Sequence, residues 1–165
     1  LNEVDKDSIR FMMLNRSNDV ELDFDFDKVM EKTRENPVFY VQYAYARISS
    51  LFRTLNIENN KVFEINESDF DLNPHELSLF RKILDWPKVV ETVSNKFEPH
   101  RIPFYLYELA TLFHSYWSKG NENPKYKFII NGKINNINTL LVIKLVALTM
   151  ENGMKILGVS LPDKM

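Results

Sequence analysis

The chain has 165 residues, 44% of them hydrophobic, with twelve Phe, seven Tyr, no Cys and a formal net charge of −2. That length fits one domain with a short appended segment, and the apolar fraction is ample for a core. The absence of Cys excludes disulfide scaffolds, thiolate zinc sites and cysteine nucleophiles and fits a reducing cytosol; the acidic balance argues against a non-specific nucleic-acid binder, which carries a basic excess.

Helical signals dominate along the chain. Leu1–Asp7 is acidic and does not read as a secretory signal. The chain opens without Met and mid-pattern, as an excised fragment does. Asp7–Leu14, with Ile9, Phe11, Met12 and Met13, predicts a short buried helix. Leu22–Asp27 alternates strictly, which predicts an extended segment with Phe24 and Phe26 on one face. Its carboxylates, Asp23, Asp25 and Asp27, lack any accompanying His pattern and read as a solvated acidic edge, or as carboxylates near the following helix N-terminus, rather than a metal site.

The most informative stretch is Asn36–Arg53. Asn36 is a good N-cap, and Pro37 suits the first helical position because its missing N–H would be unpaired there. The predicted helix runs from Pro37 to Leu55. Val41, Ala44, Ile48, Leu51 and Leu55 fall on one stripe that must face a core. Tyr40, Tyr43 and Arg47 fall on a neighbouring stripe. Two phenols beside a guanidinium suit an unpaired base, offering a ring to stack on and a fork of donors. Half-buried packing is the commoner role for such tyrosines when spacing alone is considered.

Residues 56–72 are polar and acidic and predict a loop. Asn73-Pro74 restarts a helix through Leu84, with Leu77, Phe80, Ile83 and Leu84 inward, and Trp86-Pro87 restarts another over Lys88–Phe97, with Val89, Val90 and Val93 buried. Pro103 opens a helix over Phe104–Ser118 that is apolar nearly all round, as in the middle of a bundle. Gly120–Pro124 is expected to break it. Asn131-Gly132 is a hairpin signal. The last helix is expected from Thr139, capped by Asn138, to Leu157, with Gly158 after it. Gly153 inside that helix costs roughly 1 kcal/mol against Ala, which close approach of another helix or of RNA would explain. The run Leu140–Leu148 is interrupted by Lys144 and is too short to span a bilayer.

No catalytic constellation emerges. His75, His100 and His114 lack metal-ligand spacing. Four Gly in all leave little material for a phosphate cradle, and no Gly-x-Ser-x-Gly occurs.

Three separated blocks, NPVFYVQYAYAR (36–47), EPHRIPFYLYELATLFHSYW (98–117) and ENGMKILGVSLPDKM (151–165), resemble in order the C-terminal DALR anticodon-binding domain of bacterial-type arginyl-tRNA synthetases, class I aminoacyl-tRNA synthetases. SIRFMMLNRSNDVELDFDFDK (8–28) resembles the last piece of their catalytic domain. The resemblance implies an all-α helical bundle of about five or six helices with a short extended N-terminal segment. It divides the chain into 1–28, the end of the catalytic domain, and 29–165, the bundle. It implies an irregular connection where the hairpin signal lies. It implies a cytoplasmic parent enzyme that joins arginine to tRNA(Arg) with ATP and Mg, in which this module binds the anticodon loop beside the catalytic domain of the same chain and away from any membrane. The family's HIGH-like and KMSKS-like motifs are missing, so no cofactor and no catalysis are expected of the fragment itself.

By the same resemblance, Tyr40, Tyr43 and Arg47 match positions that meet the anticodon loop. Arg53 matches a basic position suited to phosphate. Phe113 stands where the family often has an aromatic near the anticodon, and Met165 where members end in Met approaching it. Core packing is otherwise the default for Phe113 and Trp117, and a structural hydrogen bond for His114. Tyr45 replaces a common His and Thr139 a common Arg, while Lys144 remains basic; Thr139 puts one RNA contact in doubt. The alternatives are a helical protein-interaction module, which the acidic balance favours and where Tyr and Arg are also at home, and a related domain of another class I synthetase such as the cysteinyl enzyme.

Overall fold

The computed structural model describes residues 5–17, 19–20, 31–57 and 71–165. Within them lie six α-helices, which bears out the all-α expectation: α1 (Lys6–Leu14), α2 (Pro37–Thr54), α3 (Pro74–Leu84), α4 (Trp86–Lys96), α5 (Arg101–Glu122) and α6 (Ile137–Leu157). A 3-10 turn (Pro124–Tyr126) and two short strands, β1 (Ile129–Ile130) and β2 (Lys133–Ile134), connect α5 to α6. The extended segment expected over Leu22–Asp27 and most of the loop expected over 56–72 lie outside the described residues.

Helices α2, α5 and α6 pack on one another and form the centre. Their shared core includes Val41, Ile48, Leu106, Leu109, Phe113, Ile143, Val146 and Met150, all fully buried. Helix α3 closes one side of α5 and α6, and α1 packs on α2 and α6. Helix α4 lies at the periphery against α5 and α3 and buries no residue completely, so Val89, Val90 and Val93 are half-buried rather than core.

Local chemistry accounts for the helix ends. Asn36 accepts from the Phe39 N–H at 3.4 Å, with Pro37 at the first helical position, as its sequence predicts. Asn73 and Glu76 form a reciprocal capping box: Asn73 Oδ1 accepts from the Glu76 N–H at 3.1 Å, and Glu76 Oε2 accepts from the Asn73 N–H at 2.9 Å. Helix α6 starts two residues earlier than expected. Asn136, not Asn138, caps it by accepting from the Asn138 N–H at 2.8 Å. Gly158 ends it at φ 67°, left-handed backbone that favours glycine.

Several expectations are corrected by packing. Helix α5 continues past Gly120 because that glycine lies against the returning chain; a Cβ there would sit 3.0 Å from the Tyr126 carbonyl oxygen. Phe104 is half exposed, so α5 keeps a solvent face. Leu77 and Leu84 turn outward, and Leu79 and Glu76 take the fully buried positions of α3. The hairpin signal is realised: Asn131 and Gly132 both have positive φ, as a type I′ turn requires, and β1 and β2 pair antiparallel across them. Gly153 marks a close helix crossing, where a Cβ would come 2.8 Å from Leu106 Cδ2.

Glu76 is the most consequential buried polar group. Its Oε1 accepts from the Tyr116 hydroxyl at 2.8 Å and from the Thr139 hydroxyl, joining α3 to α5 and α6. Asn73 Nδ2 donates to the same Tyr116 oxygen at 2.9 Å. Glu76→Ala removes its half of the capping box, leaving the Asn73 N–H without its acceptor, and leaves two buried hydroxyls without theirs. It is expected to cost about 3 kcal/mol or more, measured as a drop in urea midpoint at unchanged slope.

Candidate nucleic-acid interface

The candidate face is built where α2 meets α5. At 100° per residue, Tyr40, Tyr43 and Arg47 lie beside the core stripe of α2, and all three are half-buried. Helix α5 brings Tyr107, His114 and Trp117 against them. Tyr40 packs on Tyr107 with ring centroids 5.2 Å apart and on His114 at 4.4 Å. Tyr43 stacks on His114 at 5.7 Å and on Phe39 at 5.7 Å.

Arg47 is the cation of this cluster. Its Nη2 donates to the Tyr43 hydroxyl at 2.9 Å, and its Nη1 lies 3.5 Å from His114 Nδ1. The guanidinium carbon sits 4.4 Å from the Tyr43 ring centroid and 5.2 Å from that of Trp117. Such placement gives cation–π attraction on top of the hydrogen bonds. With two of the five guanidinium donors engaged, about three remain for a ligand. Arg34 extends the cluster outward, donating to the Tyr107 hydroxyl at 3.3 Å and lying 5.9 Å from the Tyr40 ring.

Hydrogen bonding settles the state of His114. Arg47 can only donate, so Nδ1 is the acceptor and the proton resides on Nε2, which lies 3.2 Å from the Tyr40 carbonyl oxygen and donates to it. Burial disfavours the imidazolium most, and the Arg47 charge adds to that. The bond to Tyr40 opposes them, and the balance pulls the pKa from 6.5 down to about 4.

The other predicted residues are placed elsewhere. Phe113 is fully buried behind the cluster, its ring 5.6 Å from His114 and 5.9 Å from Trp117. Arg53 is exposed and lies about 120° round α2 from Arg47. Its Nη1 donates to the Asp163 carbonyl at 2.9 Å. Along the same side of α2, Gln42 donates to the Ser160 carbonyl at 3.0 Å and Ser49 to Asp163 Oδ1 at 3.3 Å. The C-terminal residues therefore lie along α2 as a strap, and Met165 ends it with 56% of its surface exposed. Tyr45 is buried and donates to Glu151 at 2.7 Å, and Thr139 is buried on Glu76. Both departures from the family pattern thus fall inside the bundle. Lys144 lies over the Phe52 ring at 5.6 Å.

Arg34, Tyr107, His114 and Trp117 join the face without having been singled out for it. A signal existed for the last three. On an ideal helix Tyr107 and His114 lie about 20° apart and Trp117 about 60° further round, a stripe of aromatics with polar atoms on an otherwise apolar helix. Trp117 also walls a cleft of about 300 Å³ with Gly120, Tyr126 and Phe128. Among the described residues, no group of three His, Cys, Asp or Glu is placed to hold a metal, and no helix is long and apolar enough to cross a membrane.

This helical-bundle fold has counterparts among solved structures. A Campylobacter jejuni protein described as an arginyl-tRNA synthetase superposes with a TM-score of 0.84 at 27% identity, covering 99% of this chain and 34% of that one. The Thermus thermophilus arginyl-tRNA synthetase shares the fold with a TM-score of 0.72 at 22% identity, over 96% of this chain and 26% of that one. The chain belongs to the DALR anticodon binding domain family, which it matches over residues 41–165. It is similar to the arginine–tRNA ligase of Pelagibacter ubique, 48% identical over 163 residues, and to that of Rhizobium meliloti, 43% identical over 173. These alignments cover 99% and 100% of this chain but 28% and 29% of the relatives, so the chain spans less than a third of their length.

The depressed His114 pKa makes stability depend on pH. Between pH 6.5 and about 4 the unfolded chain takes up a proton on this residue that the folded chain refuses. The contribution is fully present above pH 6.5 and falls as the pH drops through that window, by on the order of 3 kcal/mol at its acid end. Urea titrations at pH 7, 5.5 and 4.5 should show this decline, and His114→Phe should flatten its share of the slope.

Proposed function

We propose that this chain is the anticodon-recognition module of an arginine–tRNA ligase whose catalytic part joins arginine to tRNA(Arg) in the cytoplasm, using ATP with Mg. The observation that carries the reading is the Tyr43–Arg47–Trp117 arrangement, a cation held between aromatic rings on a half-exposed helix face. Unpaired RNA bases are recognised by stacking on such rings and by donors aimed at their edges. The family and the arginine–tRNA ligase relatives support this assignment for the chain.

In this mechanism, Tyr40 and Tyr43 offer ring surface to splayed anticodon bases. Arg47 directs its remaining donors to a base edge or phosphate. Arg53, on the strap side, takes a backbone phosphate, and Met165 borders the same ground. Phe113 is fully buried, so its part is to back His114 and Trp117. Residues 1–28 act as the end of the catalytic domain and 29–165 as the reader, with α1 docking the first segment onto α2 and α6. Anticodon docking then positions the acceptor end of the tRNA in the distant catalytic site.

A net charge of −2 is consistent with a module that reads a few bases while its parent supplies most phosphate contacts. Base stacking contributes roughly 1–3 kcal/mol per ring. Tyr43→Ala and Arg47→Ala should each weaken tRNA(Arg) binding about tenfold or more, with melting temperature little changed. The measurement is a titration at low and moderate salt against an anticodon-swapped tRNA. Equal weak binding to both tRNAs, vanishing with salt, or simple unfolding of both variants, would defeat the reading. Capture of a protein partner by an intact chain indifferent to tRNA would favour the interaction-module alternative.

A further inference from the structure

His114 is 7% exposed, too enclosed to meet RNA directly, yet it touches each of the three residues that α2 contributes to the face. Its ring lies 4.4 Å from the Tyr40 ring and 5.7 Å from the Tyr43 ring, the latter nearly parallel at 26°. Nε2 donates to the Tyr40 backbone carbonyl at 3.2 Å, and Nδ1 faces Arg47 Nη1 at 3.5 Å. Behind it stands the buried Phe113 ring at 5.6 Å. One side chain of α5 therefore addresses a backbone atom, two rings and a guanidinium of α2.

We propose that His114 is the positioning residue of this face: its neutral imidazole, protonated on Nε2, fixes the plane and direction of the Arg47 guanidinium before RNA arrives. The proposal rests on the reading of this face as an RNA site and assigns it a specificity determinant. Arginine is long and rotamer-rich, so a free Arg47 would sample many directions and lose that freedom on binding. Tyr43 alone fixes one corner of the guanidinium, through Nη2, and a single hydrogen bond permits rotation about it. The acceptor at His114 Nδ1 fixes a second corner, on Nη1. Two anchors on one planar group set its orientation and leave the Nε–H and one hydrogen on each Nη for a ligand. The bond from Nε2 to the Tyr40 carbonyl holds the imidazole in the tautomer that can accept. Burial keeps it neutral, since an imidazolium here would face Arg47 as a like charge.

The test uses the whole 165-residue chain and three variants. His114→Phe keeps a ring and removes both polar contacts. His114→Asn returns an acceptor oxygen near the Nδ1 position. His114→Gln returns a donor near Nε2 but places no acceptor near the Nδ1 position. Two readouts are taken on folded protein: the ¹⁵N-edited Nε–H resonance of Arg47, which neighbouring rings shift when the guanidinium is fixed, and the ratio of affinities for tRNA(Arg) and an anticodon-swapped tRNA. In the unaltered chain the resonance should be resolved and ring-shifted. In His114→Phe and His114→Gln it should collapse toward the averaged position, and discrimination should fall about tenfold, while weak salt-sensitive binding stays. His114→Asn should recover most of both. Equal behaviour of the Asn and Gln variants, or a wild-type Arg47 resonance in His114→Phe, would overturn the proposal while leaving the RNA reading intact. A ring-fixed Arg47 in an unaltered chain with no anticodon preference would overturn the RNA reading and, with it, the specificity role of His114.

Discussion

Everything placed on the aromatic and cationic face depends on the packing of α2 against α5. The apolar stripe of α2 is buried with Leu106, Leu109 and Phe113 in one core, which fixes both the rotation of α2 and its distance from α5. Rotation matters because Tyr40, Tyr43 and Arg47 sit at the edge of that stripe rather than opposite it. A turn of the helix by one residue would carry them into the core or into open solvent. Buried Phe113 contributes through this constraint, since its ring supports the two residues, His114 and Trp117, against which the α2 side chains lean.

Charge is handled locally. The chain is slightly acidic as a whole, but Arg34 and Arg47 are gathered over the aromatic cluster and Arg53 lies further round α2. Within the cluster the histidine is neutral, so the cation beside it is not opposed. Arg47 is held by an uncharged phenol, an uncharged imidazole and two aromatic faces rather than by a carboxylate. Cation–π contacts and neutral acceptors orient a guanidinium without cancelling its charge, which stays available to a polyanion.

Much of this was legible in the chain because local rules and the global fold agree. Asn36-Pro37 starts α2 where it should, the 3.6-residue pattern separates its core stripe from the stripe of Tyr40, Tyr43 and Arg47, and Asn131-Gly132 makes the turn its residues prefer. What was missed involves groups whose partners are distant in sequence. A periodicity argument assigns Leu77 and Leu84 inward, but the tie from Glu76 to Tyr116 and Thr139 rotates α3 so that Leu79 faces the core instead. The capping box at Asn73 and Glu76 was readable from spacing; the burial of its carboxyl group was not. Gly120 looked like a breaker because the chain that passes against it returns only after the 3-10 turn. His114 makes the structural hydrogen bond expected of it, but its contacts with Tyr40, Tyr43 and Arg47 exist only once two helices are brought together.

The C-terminal strap shows how the order of one segment is set by another far away in sequence. Chain ends ordinarily fray unless tied down. Here the tie is strongest at Ser160, whose N–H donates to Asp7 Oδ2 at 2.9 Å and whose hydroxyl donates to the same oxygen. Asp7 is itself buried, and α1 is anchored by the fully buried Phe11, so one oxygen of a buried side chain takes both hydrogen bonds of Ser160. Three residues further on, Asp163 is itself exposed and is held by Ser49 at 3.3 Å and by exposed Arg53 at 2.9 Å. At Met165 more than half of the surface is free. Order therefore decreases along the strap from the α1 junction toward the terminus. Removing α1 would release the strap at its firmest point and leave Gln42, Ser49 and Arg53 of α2 to hold it alone.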